Sequence, residues 1–191
     1  MEWIFTLPYS EYEVINQLQK YLKKSNGYSC YVPTSRQQKG IDFIIHNNKT
    51  NEILRIQVKG SRSFSGEPKE MKSGKIKYKY SLRFNNFISR YEDDNADYYL
   101  LFWLYPVYDV KKNIKSKADF RKTLILCFSE KEMKNYLKKI KTKKEKKEDS
   151  FFWFGFNTSE RVFWTRWLEW NEDVSEFLLE NKIEEIIDKL K

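Results

Sequence analysis

The chain has 191 residues, a formal net charge of +9, 40% hydrophobic and 17% aromatic residues, one histidine and two cysteines. That length and hydrophobic content suit one core of ordinary size and argue against both a disordered tail and two full domains. Cys30 and Cys127 lie far apart in apolar stretches and His46 stands alone, which argues against a zinc site, a disulfide framework or a Cys/His nucleophile. The positive excess fits a polyanionic partner, and equally a lysine-rich surface that only keeps the protein in solution.

Met1 to Leu7 has neither the basic start nor the apolar core of a signal peptide. The longest apolar run, Tyr98 to Val110, is broken by Pro106 and too short to span a bilayer, so a cytoplasmic protein without membrane contact is expected. No glycine-rich phosphate loop is present, which speaks against an ATPase. Residues 10 to 24 predict the first helix, with Ser10 and Glu13 as a capping box and Val14, Leu18, Tyr21 and Leu22 as the apolar stripe. Glu11 lies three and seven residues before Val14 and Leu18, so it points along that stripe. Gly27 ends the helix, Tyr28 to Val32 read as a short strand, and Pro33 stops it. The loop 34–40 is polar and basic, and Arg36 and Lys39 are candidate phosphate contacts.

Residues 40–62 are the stretch with the most chemistry. Ile41, Phe43 and Ile45 alternate with Asp42 and Ile44, while Leu54, Ile56 and Val58 alternate with Arg55, Gln57 and Lys59. The link Asn47-Asn48-Lys49-Thr50 suits a turn, so the two halves predict an antiparallel hairpin with Asp42 opposite Gln57. Period-two geometry puts Gln57 and Lys59 on one face. A carboxylate inside an apolar run needs a partner or a metal. Asp42, an oxygen from Gln57 and the Lys59 ammonium are the skeleton of a Mg²⁺-dependent phosphodiesterase site, in which the metal acts on the phosphate and a water and the lysine offsets charge on phosphorus. His46 is expected on the Asp42 face in a structural role.

Asp42, fourteen intervening residues and Gln57-Val58-Lys59 resemble the core motif of the PD-(D/E)xK nuclease superfamily, the group of restriction-endonuclease-like and Holliday-junction-resolvase-like enzymes. Ile41 replaces the motif's proline and Gln57 its second acid, giving a QxK variant. The resemblance implies a mixed central β-sheet flanked by helices and a metal-dependent DNA endonuclease with Mg²⁺, or Mn²⁺ in its place. It implies Asp42, Gln57, Lys59 and Glu11 as catalytic residues, with Asp42, Glu11 and Gln57 holding the metal. Glu11 matches the helix glutamate of the resolvase-like members. The neutral Gln57 implies weaker metal binding, and one ion rather than two. Many members act as dimers, so a homodimer is an open expectation.

Beyond Lys59, Gly60-Ser61-Arg62-Ser63 is a basic exit that puts Arg62 near a nucleic-acid backbone, and residues 64–75 predict a mobile loop. Ile76 to Phe84 alternates, with Lys77 and Lys79 on a face suited to phosphates. Phe87 to Tyr91 suggests a short helix, Ala96 to Tyr105 a central strand buried on both faces, and Arg121 to Phe128 a further strand. Ser129 caps a helix to about Ile140, with Glu132 at the third position. This succession is α/β in character. Residues 1–140 form the nuclease-like part, 141–150 a lysine-rich linker, and 151–191 an aromatic extension packing on the core. Seven of the ten residues 138–147 are lysine, which reads as a solvated linker or a phosphate-gripping tether. Trp153, Trp164, Trp167 and Trp170 cluster beyond it, as core, as a platform for unpaired bases or as a protein-docking surface. Asp173 to Leu190 closes the chain as an amphipathic helix. Two rivals to the nuclease stay open: a non-catalytic nucleic-acid-binding module on the same scaffold, and a protein-interaction module using the aromatic segment.

Overall fold

The structure is a computed structural model that describes residues 9–34, 40–70, 77–85, 95–106, 121–142, 151–158, 161–165 and 172–191. The expected helix at 87–91, the basic residues Arg36 and Lys39, and much of the lysine run lie outside the described residues.

Helix α1 (Tyr9–Gln19) buries Val14, Ile15 and Leu18 along one stripe. Burial of each such side chain contributes about 1.5–3 kcal/mol, more than the intrinsic preference of an eleven-residue helix can. The helix starts before Ser10, so the expected Ser10–Glu13 capping box does not form. Glu13 Oε1 instead accepts from Gln17 Nε2 at 2.6 Å, one turn on. The helix also stops short of Leu22, and a 3-10 turn (Lys24–Asn26) follows. Gly27 closes that turn at φ 98°, with its N–H on the Lys24 carbonyl. The left-handed φ is what requires glycine there; a Cβ would also crowd the Lys49 side chain, at 3.0 Å from its Cγ.

The strands are β1 (Tyr28–Tyr31), β2 (Phe43–Asn47), β3 (Ile53–Glu70), β4 (Lys77–Asn85), β5 (Tyr98–Pro106), β6 (Arg121–Ser129), β7 (Phe151–Thr158), β8 (Arg161–Thr165) and β9 (Glu172–Asp173). Helix α2 (Glu130–Thr142) follows β6, and α3 (Leu179–Lys189) ends the chain. The architecture is mixed α/β, as expected.

Strand β3 joins two sheets. Its first half lies antiparallel to β2 and parallel to β5, which pairs with β6; its second half pairs with β4, followed by β7, β8 and β9. The expected loop at 64–75 is therefore corrected through Glu70. Ser63 to Glu70 run as strand against β4, with the register shift between Ser65 and Lys69 absorbing Gly66 and Pro68. Local composition favours a loop, and a non-local partner strand overrides it.

The sheet formed by β5 and β6 is covered on both faces, and β5 alternates between two cores. Tyr98, Leu100 and Phe102 join Ile56 and Val58 under α1 and α3. Tyr99, Leu101 and Trp103 face the opposite way, toward α2 and the aromatics of β4 and β7. Phe154, Phe156 and Val162 are buried in this second core, so the described part of the aromatic C-terminal segment serves packing. The expected final helix is shorter than its apolar pattern: a 3-10 turn (Ser175–Phe177) precedes α3. Ser129 and Glu132 form the expected capping box of α2, with Ser129 N–H and Oγ both on Glu132 Oε2 at 2.8 Å. Among the described residues no helix is long and apolar enough to cross a membrane.

Candidate metal centre on the β2–β3 hairpin

The hairpin register pairs Phe43 with Ile56 and Ile45 with Leu54. The Asp42 N–H donates to the Ile56 carbonyl at 2.8 Å, which carries the ladder one residue further and sets Asp42 opposite Gln57. Asp42 Oδ2 then accepts from Gln57 Nε2 at 2.5 Å and from the Val58 N–H at 2.6 Å. Gln57 is 4% exposed, and its Oε1 is buried with no hydrogen-bond partner. An amide oxygen left so costs about 1–3 kcal/mol, which asks for a ligand or a water at that point.

Lys59 follows Gln57 by two residues in β3 and shares its face, so Asp42, Gln57 and Lys59 lie on one side of the sheet. They occupy a break in strand pairing. The β2 pairing ends at Ile56 and that with β4 begins at Ser63, while β5 runs alongside from Ile56 to Arg62. The Asp42 carboxylate takes the Val58 N–H in that break, a contact that a reading of side chains alone does not anticipate.

Glu11 is half-buried on the stripe of α1 that faces the sheet, but α1 covers the side of Ile56 and Val58, opposite to Gln57 and Lys59. Its first turn meets β3 at Gly60, where a Cβ would stand 3.3 Å from Ser10 Cβ and Oγ. The first turn of α1 thus reaches β3 through Ser10, one residue beyond Lys59 in sequence and from the face opposite to Gln57 and Lys59. Among the described residues no group of three or more His, Cys, Asp or Glu side chains could hold a metal. The donor set is smaller: one carboxylate and one buried amide oxygen, with a second carboxylate on α1.

Arg62 lies in β3 and Lys77 and Lys79 in β4 by backbone, with their side chains outside the described part; Arg36 and Lys39 are outside it altogether. His46 shares the Asp42 face by alternation, and its Nε2 lies 3.0 Å from Asn51 Oδ1.

Two further charged groups escaped the sequence reading. Arg55 donates to Asp97 through its backbone N–H, Nε and Nη2 at 2.7, 3.0 and 2.8 Å, tying β3 to the start of β5. Burial alone would raise the Asp97 pKa, but the Arg55 contacts outweigh it and hold the carboxyl below its ordinary value. Lys182 is buried on α3 between Glu132, at 2.7 Å, and Glu185, which in turn accepts from the Tyr98 hydroxyl at 2.9 Å. Burial would lower the Lys182 pKa, and the two carboxylates raise it instead. The sequence signal for this lysine is its place in the apolar stripe, three residues after Leu179 and four before Ile186. Neither a protein-family model nor a curated protein matches the chain.

Proposed function

We propose that the chain is a Mg²⁺-dependent DNA endonuclease of the restriction-endonuclease-like class. The observation that carries this reading is the Gln57 amide: its nitrogen is spent on Asp42, and its oxygen is buried and unpartnered beside that carboxylate, on the face shared by Lys59. A hydrated Mg²⁺ asks for one or two carboxylates and otherwise oxygen ligands, including water, which suits Asp42 and Gln57 Oε1 better than a softer metal would. When bound there, the metal polarises the scissile phosphate and acidifies a water.

The chain's own groups supply the rest. Asp42, fixed by two N–H donors, holds its carboxylate at a set point against β3. Lys59, half-buried on the same face, offsets negative charge developing on phosphorus and orients the attacking water. Gln57 contributes an oxygen without charge, so affinity for the metal rests on Asp42, with Glu11 kept on the far face of the sheet.

The test is cleavage of linear, branched and single-stranded DNA in Mg²⁺ and in Mn²⁺ by the wild type, Asp42→Asn and Lys59→Ala. Each variant is expected to lose about 100-fold or more in rate while remaining folded. Undiminished cleavage by either variant removes the assignment. One observation favours a second reading, a nucleic-acid-binding module without catalysis: Asp42 Oδ2 already accepts two hydrogen bonds and is satisfied without a cation. That reading predicts salt-sensitive DNA binding and no cleavage in either metal.

A further inference from the structure

The face of the hairpin that carries Asp42 continues away from the candidate centre as an ordered grid. One row beyond Asp42 and Gln57, Tyr31 of β1 stands opposite Ile44 of β2, and Ile44 opposite Arg55 of β3. In the next row Ser29 stands opposite His46, and His46 opposite Ile53. Directly opposed residues of antiparallel strands point to one side, so all six share the face of Asp42 and Gln57.

None of the six belongs to either core cluster. Tyr31 is 53% and Ile53 52% exposed. The other face of the same strands is buried under α1 and α3. The Tyr31 and His46 rings lie together, centroids 6.0 Å apart at 45°, and Asn51 Oδ1 steadies the imidazole. Asp97 fixes the Arg55 guanidinium along one edge, which leaves its plane as a flat surface beside Ile44. Two exposed isoleucine and tyrosine side chains, an imidazole and a guanidinium plane, held by a rigid sheet in a chain of net charge +9, suit a flat aromatic ligand on a polyanionic strand.

From these contacts we infer that the open face of β1–β3 is a stacking platform for unpaired bases, centred on Tyr31 and His46, and that the site takes single-stranded or splayed DNA in preference to intact duplex. The spacing supports that substrate. Tyr31 is one row, about 7 Å along the strands, from Asp42, or two base rises of the ~3.4 Å found along a nucleic-acid strand. A base on Tyr31 then lies within about two nucleotides of a phosphate held at Asp42. Paired bases present no open ring face to such a surface, so a duplex gains nothing from it.

This inference rests on the proposed nuclease reading for its choice of ligand, and binding without metal tests it separately. Affinity for a fluorescently labelled oligothymidylate and for a blunt duplex of equal length is measured in EDTA at fixed salt, with wild type, Tyr31→Ala, Tyr31→Phe and His46→Ala. Tyr31→Ala is expected to weaken single-strand binding roughly 5- to 150-fold, the range for loss of one stacked base, and to leave duplex binding unchanged. Tyr31→Phe is expected to retain single-strand affinity, and His46→Ala to fall between the two. Unchanged thermal unfolding of these surface variants shows that the fold is kept. The inference is overturned if Tyr31→Ala binds the single strand as wild type does, if it loses both ligands equally, or if wild type does not bind the oligonucleotide. A Tyr31-dependent single-strand preference without cleavage in Mg²⁺ would remove the nuclease reading alone; cleavage with a preference indifferent to Tyr31 would remove this one alone.

Discussion

Gln57 donates its amide nitrogen to Asp42 at 2.5 Å across the hairpin while its own carbonyl oxygen stays buried and unpartnered. A glutamate at position 57 would set a second carboxylate against the first. Without metal, two like charges so close oppose each other, and Gln57→Glu is expected to unfold at lower temperature than wild type in EDTA. A divalent cation between the two acids reverses that penalty. Saturating Mg²⁺ at about 100 times its dissociation constant adds about 2.7 kcal/mol of stability, and the gain should be larger for Gln57→Glu than for wild type. Thermal unfolding of both proteins in EDTA and in Mg²⁺ checks this. Equal responses to Mg²⁺ would show that position 57 does not touch the ion.

Asp42 has a structural task as well as the proposed chemical one. Asp42→Ala deprives the buried Gln57 amide and the Val58 N–H of their acceptor, and each such loss costs about 1–3 kcal/mol. Asp42→Asn can keep an oxygen at the position that takes both donors while losing the charge and the second acceptor, so in urea unfolding it should lie closer to wild type than Asp42→Ala does. If the alanine variant is as stable as wild type, the carboxylate is not organising the hairpin. This separation makes Asn the better probe of catalysis, because loss of cleavage in the alanine variant would mix chemistry with unfolding.

The hairpin was legible because its information is local. A turn at Asn47–Thr50 and two-residue alternation on both sides fix which residue faces which, and the register pairs 43 with 56 as the sequence implies. The Ser129–Glu132 capping box was equally legible. The same pattern at Ser10 and Glu13 misled: Glu13 has Gln17 one turn ahead as a competing partner, and the helix begins upstream of the serine. The continuation of β3 through Glu70 depends on β4, and the side of the sheet taken by α1 depends on where β5 inserts. Neither is a property of the segment itself. Glu11 shows the consequence: its helix face was read correctly toward the sheet, yet the sheet presents Val58 to that helix and turns Gln57 and Lys59 away.

Glu132 joins two elements far apart in sequence. One oxygen closes the α2 cap at Ser129, and the other binds the Lys182 ammonium of α3. Glu132→Ala should cost about 2–3 kcal/mol, about 1 from the cap and the rest from a buried lysine left with Glu185 alone. Glu132→Gln keeps one acceptor oxygen, enough for the Ser129 cap or for Lys182 but not for both, and should fall between wild type and the alanine variant. The coupling is measurable as a double-mutant cycle of Glu132→Ala and Lys182→Ala in urea unfolding. Additive losses would mean that the ion pair across α2 and α3 contributes nothing to holding them together.

The Arg55–Asp97 pair makes a prediction about acid. The Asp97 carboxyl is held below its ordinary value of 3.8 in the folded chain, so folding favours its charged form. For a depressed carboxylate the contribution is complete above the unfolded value and is lost as pH falls through the lower folded value. The stability advantage of wild type over Asp97→Asn should therefore be constant from pH 7 to about 5 and shrink below about 4. Both partners are partly exposed, at 46% and 30%, so water and salt screen them and the advantage should not exceed about 1 kcal/mol. Glu132 and Asp173, also depressed, remain in both proteins and cancel in the difference. Urea unfolding at pH 7, 5, 4 and 3 measures it. A difference that stays flat to pH 3 would mean that the three Arg55 contacts hold the aspartate in place without favouring its charge.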